Sequence, residues 1–300
     1  MSYRFDGRVA IVTGAGRGIG RAYARLLAAR GASVVVNDLG GSMEGEGTDA
    51  GPAADAVAEI VAAGGVAAAD THDVSNPDGA DALVEGAVDR FGRIDVIVNN
   101  AGIMRWAGLP ELDAEQLHQH IAVHVGGAFN TTRAAWPRFV EQQYGRIVIT
   151  TSTGMFGLPN NTAYATAKAG VVGLTRSLTV AGKKHGIKVN LIAPAAFTRM
   201  AGQADDGGAA EARMPPDLVA PMVAFLAHED CPVSGEIYTA GAGRFARLFV
   251  ASTPGWVQRE PAPTVEDVAE HWAAINDEAG YFIPRDLMDW SAAFTAHLES

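Results

Sequence analysis

Cysteine is almost absent from this sequence, which has only Cys231 in 300 residues. A single cysteine excludes an internal disulfide framework and any metal site built from several thiolates, and no metal site is expected. Few cysteines are typical of proteins in a reducing compartment, so we expect a cytoplasmic protein. Residues 1–8 lack the apolar segment of a secretory signal, which agrees with that expectation.

Basic residues are also scarce, because 23 Lys and Arg stand against 34 Asp and Glu, for a net charge of −11. Proteins that bind the phosphate backbone need a basic surface, so nucleic acid is excluded as an expected partner. Long hydrophobic runs are missing too, and none approaches the roughly 18 residues of a membrane span. The chain is nevertheless 48% hydrophobic, which predicts a large core and a globular fold.

Short apolar runs alternate with longer helical patterns along most of the chain. The runs are rich in β-branched residues and lack polar alternation, as strands buried on both faces should. They lie at residues 9–12, 34–36, 94–98, 147–149, 189–192 and 237–239, with a weaker run at 66–69. The helical patterns lie at residues 18–30, 53–63, 78–91, 113–142, 163–185 and 217–228. This order predicts an α/β fold, a Rossmann-type doubly wound parallel sheet of about seven strands.

The alternation stops after Gly243, so we predict one domain over residues 1–243 and a C-terminal helical extension over 244–300. Thr264 is a candidate cap for a helix with one apolar stripe. That stripe comprises Val265, Val268, Ala269, Trp272 and Ile275. Pro284 is a candidate start for a second helix, with Leu287, Trp290, Phe294 and Leu298 on one face. We expect both stripes to pack on the domain or at a subunit interface.

A glycine-rich turn, TGAGRGIG at residues 13–20, follows the first strand and opens the first helix. Glycines let the backbone approach a pyrophosphate, whose charge is stabilised by free N–H groups and the helix dipole. The candidate cofactor-binding residues in this turn are Gly14, Arg17, Gly18, Ile19 and Gly20. A tight turn with close packing is the alternative reading.

Asp38 ends the second strand, 18 residues after Gly20. A carboxylate there accepts hydrogen bonds from the ribose hydroxyls of NAD and repels the 2′-phosphate of NADP, which favours NAD as cofactor. Arg17 favours NADP instead, because a cation beside the turn suits a 2′-phosphate. Residues 38–51 form a glycine-rich loop that is long for a link between a strand and a helix.

Two further motifs lie later in the chain. The sequence NNAG, residues 99–102, ends the strand at 94–98, and its amides can tie strand ends together. Tyr164 and Lys168 are four residues apart and so share one face of a helix. A nearby ammonium lowers the pKa of a tyrosine, which fits the pair for general acid–base chemistry.

Together TGAGRGIG, NNAG, a serine at a strand end and YATAK resemble the short-chain dehydrogenase/reductase superfamily over roughly residues 6–243. More narrowly, VVVNDLGG, VHVGGAFNTTRAAW and NLIAPAAFTRM are similar to the (3R)-hydroxyacyl-CoA dehydrogenase part of multifunctional β-oxidation enzymes and to related bacterial hydroxysteroid dehydrogenases. The resemblance implies that Tyr164 exchanges a proton with the substrate oxygen. It implies that Lys168 binds the nicotinamide ribose and lowers the pKa of Tyr164.

Two neighbouring residues, Thr151 and Ser152, are candidates for the catalytic hydroxyl. In the superfamily this hydroxyl usually lies 13 residues before the tyrosine, which here is Thr151. Counting along the strand from Arg146 gives Ser152 instead. We favour Ser152, because a one-residue shift in strand register would turn every side chain to the opposite face of the sheet. Thr151 stays open as the alternative. His124 stands where the superfamily often has an asparagine of a proton relay, and the hydroxyacyl-CoA branch also has histidine there.

The resemblance also implies further cofactor contacts, which extend from the adenine to the carboxamide. Asp73 would face the adenine and Thr198 the carboxamide, while Asn99 and Gly102 would lie near the adenosine ribose. The complete set of additional cofactor candidates is Asp73, Val74, Asn100, Ala101, Gly102, Pro194 and Thr198. Residues 199–216, with Met200 and Met214, would cover the site, and apolar lining is expected from Met104, Trp106, Met155 and Phe156.

These features predict an NAD-dependent oxidoreductase that interconverts a secondary alcohol and a ketone. The first expected substrate is a 3-hydroxyacyl-CoA, including esters with a steroid side chain or another bulky acyl group. A free steroid, terpenoid or other hydrophobic alcohol is the alternative, because no cluster of Lys and Arg suits the CoA phosphates. A non-catalytic nucleotide-binding regulator is the rival from another class. The resemblance implies a homodimer or homotetramer formed through the helices at 113–142 and 163–185.

Overall fold

The computed structural model describes residues 3–198 and 212–298. Most of the segment predicted to cover the site, including Met200, therefore lies outside the described residues. The described chain forms an eight-stranded sheet with the order β3-β2-β1-β4-β5-β6-β7-β8. Pairing from β1 to β7 is parallel throughout, which confirms the predicted Rossmann-type fold.

The strands match the predicted apolar runs closely. They are β1 (Val9–Thr13), β2 (Ser33–Asn37), β3 (Val66–Asp70), β4 (Val96–Asn99), β5 (Gly145–Thr150), β6 (Ile187–Pro194), β7 (Ile237–Gly241) and β8 (Arg244–Leu248). Every residue of β1, β4 and β5 is buried, because helices cover both faces of the sheet. The eighth strand lies beyond residue 243, where the sequence pattern predicted no further strand. A two-residue turn at Ala242 and Gly243, both with positive φ, leads into it from β7.

The helices between the strands are α1 (Gly18–Ala29), α2 (Gly51–Ala62), α3 (Pro77–Phe91), α4 (Ala114–His120), α5 (Gly127–Gln142), α6 (Thr162–Gly182) and α7 (Ala220–Ala227). Local signals set several of their ends. Asn76 caps α3 by accepting a hydrogen bond from Asp78 N, and Gly92 ends it in the left-handed conformation. Asp113 caps α4 in the same way through Gln116 N.

The predicted helix at 113–142 contains a π-helical segment, Ile121–Gly126, between α4 and α5. A π turn inserts extra backbone into a helix, and such turns are frequent at functional sites. His124 lies on this segment and is buried. No periodicity signal distinguishes a single π turn from an α-helix of the same length, so the sequence pattern merged the three parts.

The chain divides into two compact units, residues 1–247 and 248–300. The second unit contains α8 (Val265–Glu270), α9 (Trp272–Ile275) and α10 (Leu287–Thr295). Thr264 forms a capping box with Asp267, in line with its predicted role, and Asp286 caps α10 two residues after Pro284. Three predictions stay untested: a domain boundary at residue 243, the packing of the C-terminal extension on the domain or at a subunit interface, and the formation of a homodimer or homotetramer.

Within the described ranges, none of the helices is both long enough and apolar enough to span a membrane. The cytoplasmic location stays a prediction.

Candidate active site

A cavity of about 920 Å³ opens at the carboxyl ends of the central strands of the sheet. Its walls come from the segments that follow β1, β2, β3 and β4 and from the π-helical segment. This position agrees with the rule that ligands of open α/β sheets bind beyond the carboxyl ends, where the strand order reverses. Here the reversal falls between β1 and β4, which are neighbours in the sheet.

The glycine-rich turn is packed so tightly that side chains are excluded at three positions, Gly14, Gly16 and Gly20. A Cβ on Gly14 would lie 2.8 Å from Cα of Ala101, and one on Gly20 would lie 2.3 Å from the Gly14 carbonyl oxygen. Asn100 Nδ2 donates to the carbonyl oxygens of Thr13 and Gly14, which ties the end of β4 to the turn. The start of α1, residues Gly18 to Gly20, therefore borders the cavity, and its first N–H groups have no partner within the helix.

Asp38 is held rigidly at the edge of the cavity. Its Oδ2 accepts a 2.8 Å hydrogen bond from Gly16 N, and its Oδ1 accepts one of 2.8 Å from Gly40 N. Each carboxylate oxygen has a second lone pair, so both oxygens can still accept from ribose hydroxyls. The position fits recognition of a ribose with free 2′- and 3′-hydroxyls.

Arg17 also lines the cavity, but its charge has partners in the glycine-rich loop. Its Nη1 lies 3.4 Å from the Gly41 carbonyl oxygen, and its Nη2 lies 3.9 Å from Asp49 Oδ2. An anion beside the guanidinium weakens its attraction for a 2′-phosphate. Arg17 was the one residue that favoured NADP in the sequence, and its contacts with the loop weaken that argument.

Tyr164 and Ser152 meet at the start of α6. The phenol is largely buried, and burial raises its pKa, while a hydrogen bond with Ser152 lowers it. Ser152 Oγ also accepts from Gly154 N at 2.9 Å, which fixes its position at the end of β5. A Cβ on Gly154 would lie 3.1 Å from the Tyr164 ring, so the glycine leaves room for this approach.

Thr151 faces away from this pair. Its Oγ1 donates a 2.6 Å hydrogen bond to the Lys168 carbonyl oxygen, and the residue is fully buried. The structure thus brings Ser152, and not Thr151, to the phenol.

Lys168 is buried and extends toward the end of β5. Its Nζ donates a 2.8 Å hydrogen bond to the Thr150 carbonyl oxygen and lies 5.6 Å from the centroid of the Tyr164 ring. Burial lowers the pKa of the Lys168 ammonium to about 7. The resemblance implied that Lys168 lowers the pKa of Tyr164, but burial dominates in the free chain and the pKa of Tyr164 is raised.

His124 links the cavity wall to Tyr164. Its Nε2 lies 2.9 Å from the Ile103 carbonyl oxygen, and its ring meets the Tyr164 ring edge-on with centroids 5.4 Å apart. A Cβ on Gly102 would lie 2.5 Å from His124 Cε1, so only glycine fits there. Burial, with the charge of Lys168, lowers the pKa of His124 well below its usual value, and its Nδ1 has no hydrogen-bond partner among the described residues.

Most predicted cofactor residues line the same cavity. They are Gly14, Arg17, Gly18, Ile19, Gly20, Asp38, Asp73, Val74, Asn100, Ala101, Gly102 and Thr198. Tyr164, Lys168 and Pro194 are not among the described residues that form its walls. Asn99 also lies outside this lining, and its Oδ1 accepts from Thr131 Oγ1 at 2.7 Å.

Sequence reasoning missed one wall of the cavity. The glycine-rich loop lines it through residues that include Ser42, Glu44, Gly45 and Glu46, and Arg105 lies beside them. The unusual length of the loop was a signal for this role. Arg105 had no such signal, because it belongs to no motif.

The residues at this site fit a nicotinamide dinucleotide. The glycine cradle and the open N-terminus of α1 suit a pyrophosphate, and the Asp38 carboxylate suits a ribose. Among residues 3–198 and 212–298, the structure contains no cluster of three or more His, Cys, Asp or Glu side chains arranged to bind a metal.

Comparison with known proteins identifies the class of protein. Residues 8–207 match the short chain dehydrogenase family, and the chain belongs to that family. It is 43% identical to a short-chain type dehydrogenase/reductase of Mycobacterium tuberculosis over 274 residues, which covers 91% of this chain and 95% of that protein. It is 41% identical to the peroxisomal multifunctional enzyme type 2 of Mus musculus, covering 95% of this chain but only 39% of that enzyme.

Solved structures give the same class. The full-length peroxisomal multifunctional enzyme type 2 of Drosophila melanogaster superposes with a TM-score of 0.82 at 32% identity, covering 99% of this chain and 50% of that one. A 7α-hydroxysteroid dehydrogenase in complex with NADH and a 7-oxo bile acid has a TM-score of 0.71 at 29% identity, covering 81% of this chain and 96% of that one. The chain is an oxidoreductase of the short-chain type that acts on CH–OH groups.

Proposed function

We propose that this chain is an NAD-dependent dehydrogenase of secondary alcohols whose substrate is a 3-hydroxyacyl-CoA. One observation carries the proposed chemistry: Ser152 approaches the Tyr164 phenol, and the buried Lys168 Nζ lies 5.6 Å from the centroid of the Tyr164 ring. The similarity to multifunctional enzymes, among them hydratase-dehydrogenase-epimerases, supports the choice of substrate. The chain spans about two fifths of the mouse relative.

In the oxidative direction Ser152 holds the alcohol oxygen, and the Tyr164 phenolate, formed after the phenol loses its proton to solvent, accepts the hydroxyl proton as the carbonyl forms. The glycine turn and Asp38 would hold NAD, and the bound cofactor would supply the oxidant that takes the hydride and its electron pair from the carbinol carbon. In the reductive direction Tyr164 donates its proton to the ketone oxygen. Burial raises the pKa of Tyr164 in the free chain, which keeps the phenol protonated and suits this donor role.

NAD, and not NADP, is proposed as the cofactor. Asp38 supports it, since the carboxylate repels a 2′-phosphate, and the partners of Arg17 in the loop support it further. The NADH bound to the hydroxysteroid dehydrogenase is consistent with this choice.

A free hydrophobic alcohol is the second candidate substrate. The charge of −11 and the cavity wall favour it, because the wall carries Glu44 and Glu46 beside Arg105 and offers little cationic surface to the phosphates of CoA. The similarity to a hydroxysteroid dehydrogenase points in the same direction.

The test is a spectrophotometric assay of NADH formation. The purified chain is offered NAD or NADP with a series of (R)- and (S)-3-hydroxyacyl-CoA esters, and separately with free steroid and terpenoid alcohols. Tyr164→Phe serves as the inactive control. Turnover of the CoA esters with NAD supports the proposal. Turnover of free alcohols alone overturns the CoA assignment, and no turnover of any alcohol by a chain that binds NAD favours the regulatory protein.

A further inference from the structure

The tip of the glycine-rich loop, residues 42–46, is a closed turn that forms part of the cavity wall. Ser42 N donates to the Glu46 carbonyl oxygen at 2.8 Å, and Gly45 N donates to the Ser42 carbonyl oxygen at 3.1 Å. Ser42 Oγ accepts from the backbone N–H groups of Glu44 and Glu46 at 3.2 Å each. These bonds give the tip a defined shape, but none of them attaches it to the rest of the domain.

Attachment comes from the segment after β4, residues 103–105. Met104 N donates to the Met43 carbonyl oxygen at 2.9 Å, and Arg105 Nε donates to the Glu44 carbonyl oxygen at 3.0 Å. Arg105 Nη2 forms an ion pair with Glu46 Oε1 at 3.1 Å. The Arg105 side chain is three-quarters buried and its bond to the Glu44 carbonyl oxygen is partly buried, whereas the Glu46 carboxylate is largely exposed, so water weakens the ion pair more than the bond to Glu44. One side chain therefore holds two of the five residues of the tip.

His120 fixes the backbone that carries Arg105. Its Nδ1 lies 2.7 Å from the Gln116 carbonyl oxygen, which can only accept, so Nδ1 carries the proton. Nε2 is then free to accept from Arg105 N at 3.3 Å. Burial, and the nearby charge of Arg105, lower the pKa of His120, which keeps the ring neutral and the acceptor available.

The tip follows β2 and lines the same cavity as the segments that follow β2 and β3. The other walls there are Asp38 after β2 and His72, Asp73 and Val74 after β3. In a Rossmann-type sheet this side of the reversal point binds the adenosine half of the dinucleotide. Tyr164 and Ser152 belong instead to β5 and α6, on the other side of the reversal point.

We propose that Arg105 is a positioning residue that holds residues 42–46 closed over the adenosine half of the cofactor site and thereby sets cofactor affinity without acting in the reaction. This inference rests on the proposed function only in requiring an adenine dinucleotide as the ligand. If the tip must be closed for binding, the apparent Kd is the intrinsic Kd divided by the closed fraction. Removing the guanidinium lowers that fraction, and a tip closed one time in ten binds about tenfold more weakly.

The test compares Arg105→Ala and Glu46→Gln with the wild type by calorimetric titration of NAD, ADP-ribose and nicotinamide mononucleotide. Arg133→Ala is the matched control, because Arg133 forms an ion pair with Asp81 between α5 and α3, outside the cavity wall. We expect Arg105→Ala to raise the Kd of NAD and of ADP-ribose by the same factor, about tenfold. We expect the affinity for nicotinamide mononucleotide, and kcat at saturating NAD, to stay within twofold of the wild type. Glu46→Gln should show the same pattern with a smaller factor, and Arg105→Lys should recover part of the lost affinity.

Unchanged Kd values for NAD and ADP-ribose in both Arg105→Ala and Glu46→Gln overturn the inference while leaving the proposed function intact. An equal rise in the Kd values of all three ligands, or a fall in kcat, also overturns the inference, because such a result indicates general damage to the site. If Arg105→Ala does not fold, Glu46→Gln still tests the inference, because it removes the charge of the same ion pair from the loop side. A wild-type chain that binds neither NAD nor ADP-ribose overturns the proposed function itself, which separates the two failures.

Discussion

The Thr151 hydroxyl donates a 2.6 Å hydrogen bond to the main-chain oxygen of Lys168, and this bond fastens the end of β5 to α6. Its neighbour Ser152 faces Tyr164 instead. Two adjacent hydroxyls thus have separate tasks, one in holding the helix that carries Tyr164 and Lys168 and one in contacting the phenol.

The two hydroxyls should therefore respond differently to substitution. Ser152→Ala should lower kcat by about a hundredfold or more, because an oriented group at the substrate oxygen is lost, with little change in the free energy of unfolding. Thr151→Val should lower the free energy of unfolding by about 1–3 kcal/mol through the lost buried hydrogen bond. Thr151→Ser keeps that bond and should remain active. A Ser152→Ala variant that keeps its activity, beside a folded Thr151→Val variant that loses it, would show that Thr151 is the working hydroxyl.

Tyr164→Phe should lower kcat by about 10²–10⁴-fold, since it removes the general acid–base group, and should leave the Kd of NADH within twofold. The ring and its edge-on contact with His124 are kept. Tyr23→Phe is the matched control, because the buried Tyr23 hydroxyl has no hydrogen-bond partner among the described residues. Removing it should leave activity unchanged and stability equal or higher. Full activity in Tyr164→Phe would remove Tyr164 from the mechanism.

Asp38→Asn should shift preference from NAD toward NADP by about tenfold or more, measured as the ratio of kcat/KM values, because a neutral amide no longer repels the 2′-phosphate. Asp49→Asn should shift the ratio the same way by less, since it removes an anion near Arg17. The exposed Asp55 on α2 provides the control, and Asp55→Asn should leave the ratio unchanged. An unchanged ratio in Asp38→Asn would contradict the proposed basis of the preference.

The buried ammonium of Lys168 predicts how stability depends on pH. Its pKa falls from an ordinary value of 10.5 to about 7 on folding, so between these limits the unfolded chain binds more protons than the native one. This group therefore makes the free energy of unfolding rise with pH from about 7 towards 10.5. Urea unfolding of the cofactor-free chain at pH 7 and pH 9 should show a larger gain for the wild type than for Lys168→Met. Equal gains in the two proteins would mean that Lys168 keeps an ordinary pKa in the fold.

Gly20→Ala should destabilise the chain by about 1–3 kcal/mol and weaken NAD binding, because its Cβ would meet the Gly14 carbonyl oxygen at 2.3 Å. Gly86 lies in α3 with nothing within 4 Å of its Cβ position. Gly86→Ala should stabilise the chain by about 1 kcal/mol through the higher helix propensity of alanine. The comparison needs urea unfolding of both variants. A neutral Gly20→Ala would show that the turn relaxes without cost.

Local sequence patterns predicted most of the strands and several residues of the candidate site. Buried parallel strands have continuous apolar runs, so the strands from β1 to β7 and their order along the chain followed from the sequence. The glycine turn, Asp38 and the Tyr164–Lys168 spacing are local signals, and their residues fall at the expected strand ends and helix.

The remaining features depend on contacts between distant segments. The π-helical segment has no periodicity of its own at this length, and β8 begins at an exposed Arg244 with no continuous apolar run. The tie between Arg105 and Glu46 joins loops 59 residues apart, which no short motif encodes. The pKa of Tyr164 was predicted to be lowered by Lys168, and it is raised instead, because the fold buries the phenol.

The residues proposed to select the coenzyme and the residues proposed to act on the alcohol lie in two consecutive blocks of the chain. Everything that would choose the coenzyme, from the glycine turn to Val74, precedes α3, while Ser152, Tyr164 and Lys168 follow α5. A recombination event near Gly92, at the end of α3, would transfer one block as a unit, provided that the incoming segment keeps the ties of Asn100 and Arg105 across this point. Lineages of such enzymes can therefore inherit a new coenzyme preference and a new alcohol chemistry separately, and a chimera joined at this point is a direct route to exchanging one of them in the laboratory.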